Sequence, residues 1–223
     1  MQSENLPSLR AILFDLDATL INSRSVYDEA YHQAFRQVLG IDLTPETRRQ
    51  FMGLPSIVFL QNFAEGERLE ALACALRTNL DAIMHRIHLV PGLEEVLEIL
   101  RQRGVRIAVV TSQNSQECRI TRGYLQVDAW IDVWVTIDDV SHPKPNPEPV
   151  RLALERLQFD PAQAMMIGDT RFDLLAGRAA GTRIAAACWG ADDGDALREL
   201  KPDYVFQSPH DLRGFVCALP SHR

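Results

Sequence analysis

Two acidic residues and a hydroxyl follow the first apolar run of the chain, in the order Asp15-Leu-Asp-Ala-Thr19. An aspartate can attack phosphorus to form an aspartyl-phosphate, and a second acid can protonate the leaving oxygen and later deprotonate the hydrolytic water. Because side chains alternate along a strand, Asp15 and Asp17 reach one site only if the backbone turns at Ala18 and Thr19. Taken alone, the motif is equally typical of a strand end that is followed by a helix cap.

Three later segments carry side chains that suit a phosphate group. Thr111 and Ser112 follow an apolar run, where hydroxyls and backbone N–H groups could bind phosphate oxygens, although Ser and Thr are also ordinary helix N-caps. Lys144 lies between prolines that stiffen the chain, so it could neutralise a nucleophile and a phosphate; the alternative is a solvated surface charge. Asp169 and Asp173, four residues apart at the start of a helical pattern, are candidates to bind a cation.

A catalytic pair of carboxylates needs positive charge beside it, because Asp15 and Asp17 repel a phosphate dianion. Lys144 and a divalent ion would supply that charge. Mg²⁺ prefers carboxylate, carbonyl and phosphate oxygens in an octahedral shell that water completes. We therefore predict a Mg²⁺ site formed by Asp15, the carbonyl of Asp17 and Asp169, with Asp173 one helical turn further. The four segments together favour a phosphoryl-transfer site over four unrelated helix caps.

Short β-rich runs alternate with helical patterns along most of the chain. This alternation predicts a parallel sheet covered by helices. In such sheets ligands bind beyond the carboxyl ends of the strands, where the four segments lie. The runs occupy residues 10–14, 105–110, 131–135, 164–167, 183–186 and 204–206.

Residues 23–88 break this alternation, because they contain several helical patterns and no strand pattern. We expect an α/β core formed by residues 1–22 and 89–223, and a helical cap domain formed by residues 23–88. The sequence Gly53-Leu-Pro-Ser56 should form a loop between cap helices, since Gly permits a positive φ and Pro can end one helix and begin another.

The composition of the 223-residue chain limits its ligands. A net charge of -7, without clusters of Lys and Arg, argues against a nucleic acid or an anionic membrane as partner and favours a small molecule. The first ten residues do not read as a secretory signal and no apolar run approaches the length of a membrane span, so we expect a cytoplasmic location. Four widely spaced cysteines are expected to be buried or idle thiols: Cys74, Cys118, Cys188 and Cys217.

The four segments resemble the motifs of the phosphatases of the haloacid dehalogenase superfamily, and the likeness spans nearly the whole chain. The resemblance implies a doubly wound α/β core, a helical cap inserted after the first motif, Mg²⁺ as cofactor and an aspartyl-phosphate intermediate on Asp15 with Asp17 as general acid and base. By this likeness, the four motifs are residues 15–19, Thr111 or Ser112, Lys144, and Gly168-Asp169 with Asp173.

Several positions refine the resemblance. Ala18 stands where family members often have Gly, and because a positive φ costs alanine about 1 kcal/mol or more, we expect a negative φ there. Asp17 separates the chain from the dehalogenases that name the superfamily, which lack an acid at that position. Phosphonate-cleaving relatives carry a Schiff-base lysine three positions after a Met-Gly pair, and after Met52-Gly53 that position holds Ser56.

The sequence is most similar to phosphoglycolate phosphatases and bacterial pyrophosphatases of the superfamily. We expect a Mg²⁺-dependent phosphatase, a monomer or homodimer, that acts on a small phosphorylated metabolite such as a phosphoglycolate-like monoester. Alternatives are an inorganic pyrophosphatase, a β-phosphoglucomutase-like phosphotransferase, and a catalytically silent module that binds a phosphometabolite. The residues expected to set substrate specificity are Thr19, Gly53 and Leu54.

Overall fold

The computed structural model describes residues 8–49, 53–191 and 193–222. Within these residues, six parallel strands form one sheet. The strands are β1 (Ala11–Phe14), β2 (Arg106–Val110), β3 (Val133–Val135), β4 (Ala164–Gly168), β5 (Arg183–Ala187) and β6 (Tyr204–Phe206). Their order across the sheet is β3-β2-β1-β4-β5-β6.

Each of the six β-rich runs lies on one of these strands, with ends that differ by at most two residues. The central strand, β1, pairs with β2 on one side and β4 on the other, and Phe14 is in register with Val109 and Ile167. The chain builds the sheet outward from β1 in one direction and then in the other, so the carboxyl end of β1 is the topological switch point where such sheets bind ligands. The predicted doubly wound α/β fold is confirmed.

Helices connect the strands and cover both faces of the sheet. The helices of the described residues are α1 (Arg24–Leu39), α2 (Pro45–Arg49), α3 (Ser56–Leu60), α4 (Gly66–Ile83), α5 (Leu93–Gln102), α6 (Ser115–Leu125), α7 (Glu148–Leu157), α8 (Arg171–Ala180), α9 (Gly194–Glu199) and α10 (Pro209–Ala218).

Alternate residues of β1 point into two separate cores. Ile12 and Phe14 are buried with α5 and α10 on one face, whereas Ala11 and Leu13 are buried with α7 and α8 on the other. A strand buried on both faces reads as a continuous apolar run, as β1 does. Because both faces are covered, the backbone of β1 is held rigidly where the first motif begins.

Helices α1 to α4 lie between β1 and α5 and form a helical unit. Helices α1 and α4 pack against each other, and aromatic rings from α1, α3 and the following turn fill the space at one end; ring centroids lie 5.0 Å apart for Tyr31 and Phe59 and 5.6 Å apart for Phe35 and Phe59. Such ring pairs add about 0.5–1.5 kcal/mol each beyond the area they bury. These rings belong to the same buried apolar cluster as Ile12 and Phe14 of the sheet.

The two chain segments that join this unit to the sheet run side by side. Ile21 and Leu89 form an antiparallel bridge, and the N–H of Asn22 donates to the carbonyl of His88 at 2.9 Å. We propose this pair of segments as the boundary between the core and the cap, at the positions that the sequence predicts. All four cysteines are free thiols. Among the described residues, no helix combines the length and the apolar composition needed to cross a bilayer.

Candidate active site

The chain turns sharply directly after β1. The carbonyl of Leu16 accepts hydrogen bonds from the N–H groups of both Leu20 and Ile21, at 2.9 and 3.0 Å, and this closed turn places Ala18 at a φ of 60°. The expected negative φ at Ala18 is therefore wrong. The carbonyl of Ala18 packs against Gly190, where a Cβ atom would overlap it, so the turn depends on a contact with a distant loop.

This turn brings Asp15 to the centre of the site. Its N–H continues the ladder of β1 by donating to the carbonyl of Ile167 at 2.9 Å, and its carboxylate accepts a hydrogen bond from Lys144 at 2.6 Å. Neither Asp15 nor Asp17 caps a helix, because α1 begins after Ser23. The alternative of a strand end with a helix cap is therefore wrong for this motif.

Lys144 is buried, with 3% of its side chain exposed, so the alternative of a solvated surface charge is also wrong. Its ammonium group donates to Asp15 Oδ1 and Asp173 Oδ1, both at 2.6 Å, and to the carbonyl of Val110 at 3.0 Å. Burial opposes its charge, but the two carboxylates outweigh burial and raise the pKa of Lys144 above its usual range. All three N–H donors of the ammonium group are thus used, one by the carbonyl at the end of β2 and two by carboxylates.

Two acids that follow β4 lie close to Asp15. Asp169 Oδ1 accepts the hydroxyl proton of Thr19 at 2.8 Å. Asp173 Oδ2 accepts from the N–H and hydroxyl of Thr170, at 3.0 and 2.6 Å, and closes the capping box of α8. Helix capping is thus correct for Asp173, whose other oxygen binds Lys144. Thr19 is fully buried, so its hydroxyl orients Asp169 and does not reach the cavity.

Three of the four acids predicted to bind metal come together. Asp15, Asp169 and Asp173 each offer a carboxylate oxygen, and these oxygens all lie within 4.8 Å of one another. Burial raises the pKa of Asp15, and the neighbouring carboxylates raise it further. Burial and Asp173 together raise the pKa of Asp169 to about 7. A divalent cation suits this group, because it would offset the repulsion and because carboxylates are the hard oxygen ligands that Mg²⁺ and Ca²⁺ prefer.

Asp17 is not one of these three acids, and its carboxylate has other partners. Both of its oxygens accept hydrogen bonds from Nε2 of Gln113, at 3.2 and 3.0 Å. Burial raises the pKa of Asp17, while hydrogen bonds from Ser23 and Gln113 oppose the increase. Asp15 and Asp17 therefore have distinct surroundings, one beside a lysine and two acids and the other beside an amide, which suits them to distinct tasks.

Thr111 and Ser112 follow β2 but cap no helix. Helix α6 begins after Asn114, which forms a capping box with Glu117, so the capping alternative is wrong for both hydroxyl residues. Thr111 is buried and its hydroxyl oxygen accepts the N–H of Gln113 at 3.1 Å. Ser112 lies at the border with the cap, where its hydroxyl donates to the carbonyl of Gly53 at 2.9 Å.

The predicted loop between cap helices closes over the site. Gly53 has a φ of 84°, and a Cβ atom there would lie 2.9 Å from side-chain atoms of Thr170 and Phe172. This close approach explains the glycine. Gly53 and Leu54 line a cavity of about 110 Å³ together with Asp15, Asp17 and Asp169. Met52 lies outside the described residues.

The cavity has further walls besides the predicted site residues. Tyr27, Tyr31 and Arg48 of the cap and Gln113 and Glu117 of the core also line it. The guanidinium of Arg48 pairs with Asp28 at 2.8 Å and stacks on the ring of Tyr31 at 4.7 Å. No motif signals these residues, because their roles depend on how the cap folds onto the core. Gln113 alone was accessible to inference, since it follows Thr111 and Ser112 directly.

The molecule has an open α/β sheet with a cluster of buried carboxylates and a lysine at the end of its central strand. This arrangement is typical of enzymes whose active site lies at the topological switch point of the sheet. Residues 12–187 match the model of the haloacid dehalogenase-like hydrolase family, and the chain belongs to that family. The predicted family and the prediction that the chain is an enzyme are confirmed.

Comparisons with individual proteins agree with this assignment. The chain is 34% identical over 207 residues to the pyrophosphatase PpaX of Bacillus velezensis, which covers 91% of this chain and 94% of that protein. A hydrolase from Pseudomonas syringae superimposes with a TM-score of 0.83 at 25% identity, covering 95% of this chain and 99% of that one. A Lactobacillus plantarum protein named as a phosphoglycolate phosphatase has a TM-score of 0.82 at 24% identity, covering 93% and 99%, a likeness that shows the fold alone.

Proposed function

We propose that the protein is a Mg²⁺-dependent phosphatase that hydrolyses a small phosphorylated metabolite through an aspartyl-phosphate on Asp15. The observation that carries the proposal is the contact of 2.6 Å between Asp15 Oδ1 and the buried ammonium group of Lys144 at the end of the central strand. The charge of Lys144 opposes the rise that burial causes in the pKa of Asp15, so it favours the ionised nucleophile, and it attracts the phosphoryl group. The metabolite would be its partner in the cell; the predicted cytoplasmic location stays a prediction.

The proposed reaction has two steps that use the same residues. In the first step a carboxylate oxygen of Asp15 bonds to phosphorus, the bond from phosphorus to the leaving oxygen breaks, and Asp17 gives its proton to that oxygen. In the second step Asp17 takes a proton from water, whose oxygen bonds to phosphorus as the bond to Asp15 breaks. The product is inorganic phosphate, and Asp15 and Asp17 regain their initial states.

The remaining predicted residues support the phosphoryl group. Mg²⁺, when bound, would supply positive charge between phosphate and carboxylates, and Asp15, Asp169 and the carbonyl of Asp17 would hold it. Asp173 is better suited to fix Lys144, because both of its oxygens already accept hydrogen bonds from the protein. Thr111 and Ser112 stay our candidates to bind phosphate oxygens at the end of β2, and Gly53 and Leu54 to contact the leaving group.

A larger cavity beside the site bears on the substrate class. It has a volume of about 390 Å³, shares Tyr27, Ser112 and Glu117 with the site cavity, and is lined by apolar residues of the cap such as Leu76 and Leu80. Its lining includes one arginine, Arg77, but also three acids, which repel a second phosphate, so the space favours an organic leaving group that its apolar residues can contact. This supports a phosphomonoester as substrate.

Inorganic pyrophosphate is the second candidate substrate, because the pyrophosphatase PpaX is 34% identical to this chain over most of both proteins. A direct competition separates the two. Phosphate release would be measured for pyrophosphate and for a series of phosphomonoesters at equal concentration, with Mg²⁺ and after its removal by a chelator. A higher kcat/KM for a monoester supports our proposal, whereas a higher value for pyrophosphate assigns the chain to the second candidate.

The nucleophile is tested by Asp15→Asn, which keeps the shape of the side chain but removes its charge. We expect no phosphate release from this variant, whereas the matched variant Asp195→Asn, at an exposed residue of α9, keeps the activity. Activity in Asp15→Asn would contradict the proposed nucleophile. If the wild type binds phosphate esters and releases no phosphate from any of them, the chain is a silent binding module and the proposal is wrong.

A further inference from the structure

The side chain of Gln113 is the centre of a buried hydrogen-bond network that joins the cap to the acid–base residue. Gln113 is 4% exposed and lies between β2 and α6. Its Nε2 donates to both oxygens of Asp17, at 3.2 and 3.0 Å, and to the hydroxyl oxygen of Tyr27 on cap helix α1, at 3.0 Å. An amide nitrogen has two N–H groups, so these partners use its full donor capacity.

The other atoms of Gln113 fix the direction of this amide. The hydroxyl of Thr121 on α6 donates to Oε1 at 3.2 Å, which leaves Nε2 as the end that faces Asp17. The backbone N–H donates to Thr111 Oγ1 at 3.1 Å, and the backbone carbonyl accepts from Ile137 at the same distance. A donor held at both backbone and side chain is preorganised, so it loses little entropy when it orients a reacting group.

Asp17 needs such support because it lies in the turn that follows β1, where the hydroxyl of Ser23 is its other hydrogen-bond partner. Proton transfer requires the acid within hydrogen-bond distance of the leaving oxygen, and a loosely held carboxylate meets that condition for a smaller fraction of the time.

We propose that Gln113 is the positioning residue for Asp17 and that Tyr27 connects this positioning to the cap. The proposal rests on the proposed function, because it requires Asp17 to transfer the proton. When the cap and core are together, the hydroxyl of Tyr27 occupies one N–H group of the amide and directs the other to Asp17. Gln113 touches no reacting atom and acts through Asp17 alone.

The leaving group of the substrate provides the test. An alkoxide is a poor leaving group and needs protonation by Asp17, whereas a nitrophenolate leaves without it. In Gln113→Leu, which keeps the size of the side chain and removes the amide, we expect kcat/KM to fall about ten- to hundredfold for alkyl phosphates, within the range that general acid catalysis contributes. For nitrophenyl phosphates we expect a change of less than about threefold.

Two further variants test the proposal independently of Gln113→Leu. Thr121→Val removes the hydroxyl that orients the amide while the amide itself remains, and we expect a smaller loss with the same dependence on the leaving group. Gln102→Leu, at an exposed glutamine of α5, should change neither substrate class. Circular dichroism and thermal unfolding would show whether each variant is folded; if Gln113→Leu does not fold, Thr121→Val decides.

The outcomes separate this proposal from the proposed function. An equal loss for alkyl and nitrophenyl phosphates, or no loss for either, in a folded Gln113→Leu would overturn the positioning role. A wild type that hydrolyses neither class, or an active Asp15→Asn, would instead overturn the proposed function. A loss confined to alkyl phosphates, in Gln113→Leu and more weakly in Thr121→Val, supports the positioning role.

Discussion

Lys144 connects the stability of the site to its chemistry. It is one of two lysines in the chain, and its ammonium group is the shared partner of two buried carboxylates, Asp15 and Asp173. Lys144→Met would leave both acids buried without their cation. Removing one partner of a buried ion pair costs about 3–5 kcal/mol, so we expect a loss of that order in the free energy of unfolding. Phosphate release should be lost as well.

Chemical denaturation at neutral pH measures this cost. The matched variant is Lys201→Met, because Lys201 is the second lysine and is exposed. It should change the free energy of unfolding by less than about 0.5 kcal/mol, as surface substitutions usually do. Equal stability of Lys144→Met and Lys201→Met would show that the two acids do not need the lysine in the folded protein.

A substitution at Ala18 should have the opposite effect, a gain in stability. Its φ of 60° is one that alanine adopts at a cost, whereas glycine adopts it freely. We expect Ala18→Gly to raise the free energy of unfolding by about 0.5 kcal/mol, since the greater freedom of glycine in the unfolded chain offsets part of the gain. As control, Ala71→Gly on the exposed side of α4 should lower it by about 1 kcal/mol.

The site residues that can be predicted from the sequence are those whose position is set by the end of one strand. Asp15 and Asp169 follow apolar runs directly, so their position at the edge of the sheet follows from the alternation of strands and helices alone. Gln113 and Ala18 could not be predicted in the same way. The amide of Gln113 meets Asp17 across 96 residues of sequence, and the φ of Ala18 is set by a turn that packs on a loop near residue 190. Such distant contacts leave no periodic pattern.

At the scale of elements, α6 carries a titratable group that the site does not use. Glu117 closes the capping box of this helix and lines both cavities. Burial, followed by the charge of Asp17, raises its pKa to about 7 although its hydrogen bonds to Asn114 oppose the increase. A raised folded-state pKa of an acid means that the folded protein binds a proton that the unfolded chain has lost. Stability therefore falls as the pH rises from about 4.5 to about 7.

Glu117→Gln removes this titration and keeps the capping box, because Gln serves at the same position of the motif. As the pH rises from acid to alkaline, we expect the free energy of unfolding of the variant to increase relative to that of the wild type. The increase should reach up to about 3 kcal/mol, at about 1.4 kcal/mol per pKa unit. Urea unfolding of both proteins at several pH values measures the difference, in which the shared titration of the aspartates cancels. A difference that does not change with pH would contradict the raised pKa of Glu117.

The elements also show which parts of the fold sequence patterns predict and which parts they do not. All six strands were predicted within two residues, because fully buried parallel strands are continuous apolar runs. The buried residues of α5, Leu93, Val96, Leu97 and Leu100, follow the helical period, and this helix begins directly after Pro91 and Gly92. The arrangement of the cap was not predicted. It depends on stacked rings such as Phe35 and Phe59, whose sequence separation gives no helical or strand period.

At the scale of the whole molecule, the buried charge predicts how the protein responds to a divalent cation. Asp15 and Asp173 share Lys144, and Asp169 offers a third carboxylate within 4.8 Å of them, so the folded state holds these acids close together in a buried place, which the unfolded chain does not. A cation that binds the folded state alone stabilises it by RT ln(1 + [L]/Kd), about 2.7 kcal/mol at a hundredfold excess over Kd. We expect Mg²⁺ to raise the melting temperature and a chelator to reverse the increase. Asp169→Asn should abolish the response and Asp195→Asn should keep it, because Asp195 lies on the surface. An equal response of both variants would place the cation elsewhere in the molecule.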